Sequence, residues 1–244
     1  MNSIKQIKIL VSFPLGAYFH LDIIEYTYKQ FLKMLKKITC VNIASKCNEC
    51  TLCNECQYYR ITGENFKEYP GIIFEKDIFS ENIFKENEEY EFIVYLVGNC
   101  DIYKDYLEIF FKEYLNYKLA GYDFLIKRFE CDIIQDKECK IKKLNVYSII
   151  ESLDFIYCYN NMVKYYNRMY NTNYHLMHTI SNITRIKNVN EGIINVHTRK
   201  IRKIGYIYSL ELDDYLSKNI LKLGIGKYNF IGGGKIAISS KDEG

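Results

Sequence analysis

"LKLGIGKYNFIGGGKIAISS", residues 221–240, sets five glycines within eleven positions, Gly224 to Gly234, in a 244-residue chain that has 13 glycines in all. Backbone this bare serves a left-handed conformation or the close approach of a ligand, often a phosphate. Two phosphate motifs fail here. A P-loop requires Ser or Thr after Gly-Lys, and Gly234-Lys235 is followed by Ile236. A dinucleotide loop requires a third glycine three residues after the second, but Gly226 is followed by Lys227, Tyr228 and Asn229.

Apolar residues make up 48% of the chain, enough for a sizeable core. No apolar run reaches the ~18 residues of a membrane span. The opening "MNSIKQIKILVSF" alternates like a strand and lacks the apolar block of a signal peptide, so a cytoplasmic protein is expected. Its nine cysteines then read as thiols or ligands in preference to disulfides. Net charge is +3, unevenly divided: residues 1–125 hold 14 Lys and Arg against 18 Asp and Glu, and residues 126–244 hold 19 against 12. A polyanion is therefore drawn to the C-terminal half. There "HTRKIRK", residues 197–203, packs His197, Arg199, Lys200, Arg202 and Lys203 together.

Periodicity predicts strands over 4–13, about 71–76 and 90–97. In "DIIEYTYKQFLKMLKKI", Ile24, Tyr28, Phe31, Leu35 and Ile38 recur in steps of four and three, one apolar helix face, with Asp22 and Glu25 as a capping box. "DIYKDYLEIFFKEYLNYKLAG" reads as a second helix ending at Gly121. Strand, helix, two strands and helix is the order of a ferredoxin-like unit. The second half repeats it. "FLIKRFECDIIQ" and "KIKKLNVY" read as strands around a turn, "SIIESLDFIYCYNNMVKYYNRMY" as a helix, and "HLMHTISNITRI" is ambiguous. "NEGIINVHTR" and "IGYIYSLEL" read as a strand pair, "DDYLSKNILKLG" as a short helix and "GGKIAIS" as a last strand. The expected fold class is α+β, two tandem ferredoxin-like (RRM-like) domains. Residues 1–125 carry an inserted Cys-rich loop at 40–59, and residues 126–244 carry the glycine-rich loop at 224–234. No Ser/Pro-rich linker parts the halves, so they are expected to pack closely.

"GIGKYNFIGGG" follows a pattern of Gly-apolar-Gly, five residues with at least one basic, then Gly-x-Gly. Gly224, Gly226, Gly232 and Gly234 fill the glycine positions, Lys227 supplies the charge, and Gly233 fills a slot usually apolar. A second pattern, a cysteine after the first helix, then C-x-x-C, then C-x-Tyr, is met by Cys40, "CNEC" at 47–50 and "CQY" at 56–58. In these two features the chain resembles the RAMP superfamily, and within it the cysteine-containing subset of CRISPR-associated endoribonucleases that process precursor CRISPR RNA. "YLVGNCDIYKDYLEIFFKEY" and "IRKIGYIYSLEL" also look similar to that family's segments.

The resemblance implies CRISPR repeat RNA as the partner, with attachment to a CRISPR effector complex left open, and a monomer or homodimer. It implies metal-independent cleavage, in which a ribose 2′-OH attacks the adjacent phosphate and leaves a 2′,3′-cyclic phosphate and a 5′-OH. Such chemistry needs a base, an acid and positive charge on the phosphate. Histidine suits both proton transfers. His20, beside Tyr18, lies just before the first helix, and the family's first-helix histidine position is Lys33 here, so the catalytic candidates are His20, Lys33 and Tyr18. His197 beside Arg199 reads as an RNA contact, and His175 and His178 as ordinary polar positions or a shared helix face. The glycine loop would bring backbone N–H groups to phosphates, with Lys227 and Lys235 beside them. A tight turn that fits a helix to a strand is the plainer alternative.

"CNECTLCNEC" spaces Cys47, Cys50, Cys53 and Cys56 three apart, and two C-x-x-C knuckles complete a tetrahedral zinc site. The spacing also resembles half a bacterial ferredoxin motif without its proline. Family spacing favours Cys40, Cys47, Cys50 and Cys56 over the set with Cys53. The cofactor expected is a structural zinc, with an iron–sulfur cluster as the alternative. Cys100, Cys131, Cys139 and Cys158 read as small apolar residues. Two other functions stay open: a non-catalytic RNA-binding RAMP subunit, and an iron–sulfur redox or sensor protein.

Overall fold

Ile7, Ile9, Val11 and Phe13 alternate with Lys8, Leu10 and Ser12, and this period of two makes Ser3–Phe13 a strand, β1, with that apolar set fully buried. The computed structural model describes residues 3–42, 46–62, 69–76, 82–196 and 199–238. After the short β2 (Ala17–Tyr18) comes α1 (Ile23–Thr39). Asp22 caps it, its Oδ1 accepting the N–H groups of Ile24 and Glu25 at 3.0 and 3.1 Å. Ile24, Tyr28, Phe31 and Leu35 are buried as their spacing requires. Ile38, expected on the same face, is 49% exposed in the last turn.

Next along the chain are α2 (Gln57–Thr62), β3 (Ile72–Phe74), β4 (Ile83–Phe84), β5 (Glu88–Val97) and α3 (Tyr103–Ile109). The second helix stops well short of Gly121. It widens into a π-turn over Phe110–Tyr114, closed by the Leu115 N–H on the Phe110 carbonyl at 3.0 Å. Asn116, Tyr117 and Ala120 then take positive φ, which a helix does not continue through, and β6 (Lys118–Leu119) and β7 (Tyr122–Asp123) form a small hairpin.

β8 (Leu125–Gln135), read from sequence with the second half, lies in the first sheet. β1 has two edges to satisfy: β5 takes one, with Ile7 opposite Val94, and β8 the other, with Ile7 opposite Cys131. β8 therefore belongs to the same sheet as β1, although it lies past the expected boundary at residue 125. The second unit holds β9 (Glu138–Ile150), α4 (Phe155–Met169), β10 (Asn182–Val196), β11 (Arg199–Ser217), α5 (Lys218–Leu223) and β12 (Ile236–Ile238). Residues 171–181, including the ambiguous stretch up to Ser181, are irregular, and β11 extends through Asp213–Ser217, which the sequence reading gives to a helix.

Two antiparallel four-stranded sheets result, β3-β5-β1-β8 and β10-β11-β9-β12. Counting only the strands within each of these sheets in chain order, the second, third, first and fourth stand in that order, with helices after the first and third. One apolar core runs through both units. Tyr166 and Tyr170 of the second unit donate their hydroxyls to the Pro70 and Tyr69 carbonyls at 3.3 and 3.1 Å, and Phe230 lies 5.8 Å from the Tyr28 ring. No helix among the described residues is long and apolar enough to cross a membrane.

Candidate functional site

The glycine-rich loop is a packed object. Its N–H groups at Gly224, Ile225, Gly232, Gly233 and Gly234 donate to the carbonyls of Leu221, Gly234, Asn229, Tyr228 and Ile149. The N–H of Lys227 differs, donating to both carboxylate oxygens of Glu151 at 3.2 and 3.1 Å. Gly234, at φ +64°, meets backbone so closely that an added Cβ would stand 1.7 Å from the Ile225 carbonyl oxygen. At Gly232 it would stand 2.7 Å from the Lys76 side chain of the other unit. The glycines thus let the loop fold on itself and press against the first unit. The backbone donors expected at phosphates are committed inside the fold at these positions.

Lys76 joins the loop to the entrance of α1. Its ammonium lies 3.1 Å from Asp22 and 3.4 Å from Glu25, so the expected capping box is half formed: Asp22 caps, and Glu25 faces the lysine. Burial pulls the Lys76 ammonium down, and the two carboxylates more than offset that, so its pKa stands above the usual lysine range and the group is charged. Lys235 is held alike. Its ammonium lies 3.1 Å from Glu75, which also accepts the Tyr95 hydroxyl at 2.6 Å. Burial and the Glu75 charge push the Tyr95 phenol up and keep it a donor. Lys227, by contrast, is exposed, its ammonium 4.9 Å from the Tyr228 ring.

Of the catalytic candidates, the structure brings two together. Tyr18 and His20, both exposed, meet edge to face at 4.8 Å, two residues before the Asp22 cap. Lys33 is exposed on α1, ten residues past Ile23 and so about 15 Å along the axis. It does not join the ring pair. His175 lies 3.4 Å from Glu138, and the His178 N–H donates to Asp214. They share no helix face, since residues 171–181 are irregular.

In the basic segment, His197 lies outside the described residues, and Arg199 and Lys200 are described as strand backbone alone. Arg202 is exposed, and its carbonyl accepts the Tyr228 hydroxyl at 3.0 Å. Lys203, expected as a surface contact, is only 3% exposed, because alternate residues of β11 turn inward against the second unit.

The cysteine loop gathers four of its five thiols. Burial pushes the Cys47 thiol up, Lys36 pulls it down, and Cys40, Cys56 and Cys50 push it up again. Cys40, Cys50 and Cys56 line one cavity, whereas the Cys53 sulfur sits 3.7 Å from Asn54 Oδ1. The donor chemistry fits a thiolate-loving ion such as zinc. The four thiols are neighbours without reaching a ligand arrangement: among the described residues no three His, Cys, Asp or Glu side chains are placed to hold a metal ion. Cys100 and Cys158 are buried as expected, and burial pushes the Cys100 thiol up to about 12. Cys131 and Cys139, expected to be buried too, are half-exposed on β8 and β9.

Glu75, Lys76 and Glu151 were not singled out from sequence. Their partners lie 160, 51 and 76 residues away, and no local pattern marks such pairs.

Neither a family model nor a curated protein sequence matches the chain. Solved structures do. A CRISPR associated protein Cas6 aligns over 97% of this chain and 100% of its own, with a TM-score of 0.50 and 14% identity. An RAMP protein binding different RNA substrates gives the same coverage and TM-score at 13% identity. A Cas6 product complex covers 97% and 99% at a TM-score of 0.51 and 9% identity. Over nearly its whole length the chain has the RAMP-type fold of Cas6 proteins.

Proposed function

We propose that this chain, which shares the fold of Cas6 and RAMP proteins, is an endoribonuclease that processes CRISPR repeat RNA. The observation that carries the reading is the seam between the units. There Asp22 and Lys76 tie the entrance of α1 to the glycine-rich loop, and the Tyr18–His20 pair closes two residues before Asp22 in the chain. The strand order supports two ferredoxin-like units, the first bearing the cysteine loop.

RNA lying on the seam meets the exposed Lys227 of the loop and the exposed Arg202 of β11. The 2′-OH of one nucleotide attacks the neighbouring phosphorus and the bond to the 5′-oxygen breaks. A 2′,3′-cyclic phosphate and a 5′-OH remain. His20 moves a proton at the 2′-OH or at the departing oxygen, Tyr18 steadies its ring, and Lys33, about 15 Å along α1, offsets charge on a neighbouring phosphate of the same strand. Cys40, Cys47, Cys50 and Cys56 would hold a zinc whose contribution would be structural, pinning the loop at 40–59.

The position of Lys33 favours a second reading, an RNA-binding RAMP subunit that does not cut. Incubation with the repeat RNA in EDTA separates the two. Cleavage to cyclic-phosphate ends is expected, and a band shift without cleavage would establish the binder.

A further inference from the structure

The carboxylate of Glu151 occupies a position that an RNA phosphate could share. The N–H groups of Gly224, Gly232, Gly233 and Gly234 end on backbone carbonyls, which cannot leave without unfolding the loop. That of Lys227 ends on a side chain, with both oxygens within 3.2 Å, at the exposed edge of the loop. Gly226 makes room for it: a Cβ there would stand 2.3 Å from Glu151 Oε2. Two oxygens sharing a negative charge and taking one backbone N–H present nearly the acceptor geometry of a phosphodiester. Among the described residues no ion pair offsets the Glu151 charge; the Lys227 ammonium lies over the Tyr228 ring. The Cys158 thiol is also hydrogen-bonded to Glu151, and the other groups around the carboxylate, Tyr69, Tyr208 and Asp154, are acids; burial and then Glu151 push Cys158 and Tyr69 up.

We infer that the Lys227 N–H, bordered by Gly226, is an exchangeable anion seat, and that an RNA phosphodiester takes it by displacing Glu151. The exchange swaps the charge-assisted hydrogen bond at the Lys227 N–H for another, gives up the weak bond from the Cys158 thiol and releases the carboxylate to water, so its net cost is small. Glu151 is then a positioning residue. It holds the loop in shape when RNA is absent, and its negative charge sets how tightly a phosphate must bind to replace it. The inference rests on the RNA-binding reading for its ligand, but the seat itself is testable without RNA.

The first arm follows the ¹⁵N-Lys227 amide resonance while inorganic sulfate is added to the wild type and to Glu151→Gln, an isosteric, uncharged change. Glu151→Ala is the second variant should the first disturb the fold. A saturable shift in the variant, at sulfate concentrations several-fold lower than in the wild type, is expected. No shift in either variant overturns the seat. The second arm measures repeat-RNA affinity at fixed salt. Removing a like charge at close range should tighten binding by about tenfold in Glu151→Gln. Asp154→Asn, which neutralises the neighbouring α4 cap without touching the loop N–H, should change affinity less than about twofold. Equal or weaker RNA binding by Glu151→Gln makes Glu151 a brace and overturns displacement. A sulfate shift with no RNA binding by the wild type would sink the RNA reading and leave the seat standing.

Discussion

The Lys235 ammonium, just past the glycine-rich loop, sits 3.1 Å from the Glu75 carboxylate across the seam between the two units, with side-chain exposures of 14% and 29%. Glu75 also receives the Tyr95 hydroxyl, so its removal strands two donors in a half-buried place. Glu75→Ala should lower stability by about 2 kcal/mol, and Lys235→Ala by less, since Glu75 then keeps Tyr95. Denaturant unfolding of both variants and of the double variant checks this. Strictly additive effects would mean the pair does not couple the units.

Gly234 and Gly121 both have positive φ, +64° and +92°, yet only Gly234 has backbone in the path of a Cβ. Gly121→Ala should cost about 1–3 kcal/mol for strained backbone alone. Gly234→Ala should cost more, because the Cβ runs into the backbone of Ile225, whose N–H is itself bonded to the Gly234 carbonyl. Unfolding midpoints of the two variants give the comparison, and equal losses would refute the packing role of the loop.

The reach of the sequence can be traced through these residues. The α1 face was legible because Ile24, Tyr28, Phe31 and Leu35 recur at helical period and need one partner surface, whatever that surface is. The membership of β8 was not. A strand's alternation says which side is apolar and nothing about which edge it joins, and no residue of β8 is fully buried. The glycine density was legible as a special backbone, but its main use is contact with Lys76 and with the loop itself, pairings that only the tertiary fold creates. Of the candidate site, Tyr18 and His20 were near neighbours in sequence and remain so in space. Lys33 was placed by likeness to a helix position, and the helix rise carries it away from them.

A proton-transfer group contributes roughly 10²–10⁴-fold to rate and little to affinity. His20→Ala should slow single-turnover cleavage within that range while repeat-RNA affinity stays within a few-fold. Lys33→Ala should have a smaller effect on rate, given its distance along α1. Full cleavage by the His20 variant would remove His20 from the site and turn attention to Tyr18 with a lysine.

The cysteine loop offers a contrast within one motif. Cys56 lines the cavity with Cys40 and Cys50, and Cys53 faces Asn54. Cys56→Ser should therefore release zinc and lower thermal stability, while Cys53→Ser should keep about one zinc per chain. Metal analysis of freshly purified protein decides it. Zinc lost equally from both variants would restore the double-knuckle set, and visible absorption in place of zinc would point to an iron–sulfur cluster.

Arg202 and Lys203 are adjacent on β11 and face opposite ways, Arg202 exposed and Lys203 buried. If RNA runs along this strand, the two should separate in their effects. Arg202→Ala removes one phosphate contact, so the slope of log affinity against log salt should fall by about 0.7, the value for one charge on a single strand. Stability should hardly change, because the Arg202 group that bonds Tyr228 is its backbone carbonyl, which alanine retains. Lys203→Ala should do the reverse: a buried lysine stem lost from the packing lowers the unfolding midpoint, and the salt slope keeps its wild-type value. Fluorescence anisotropy over a salt series, paired with thermal unfolding, reads both quantities on the same samples. A salt slope unchanged in Arg202→Ala would place the RNA away from β11, and a slope reduced in Lys203→Ala would mean that the strand opens to bind it.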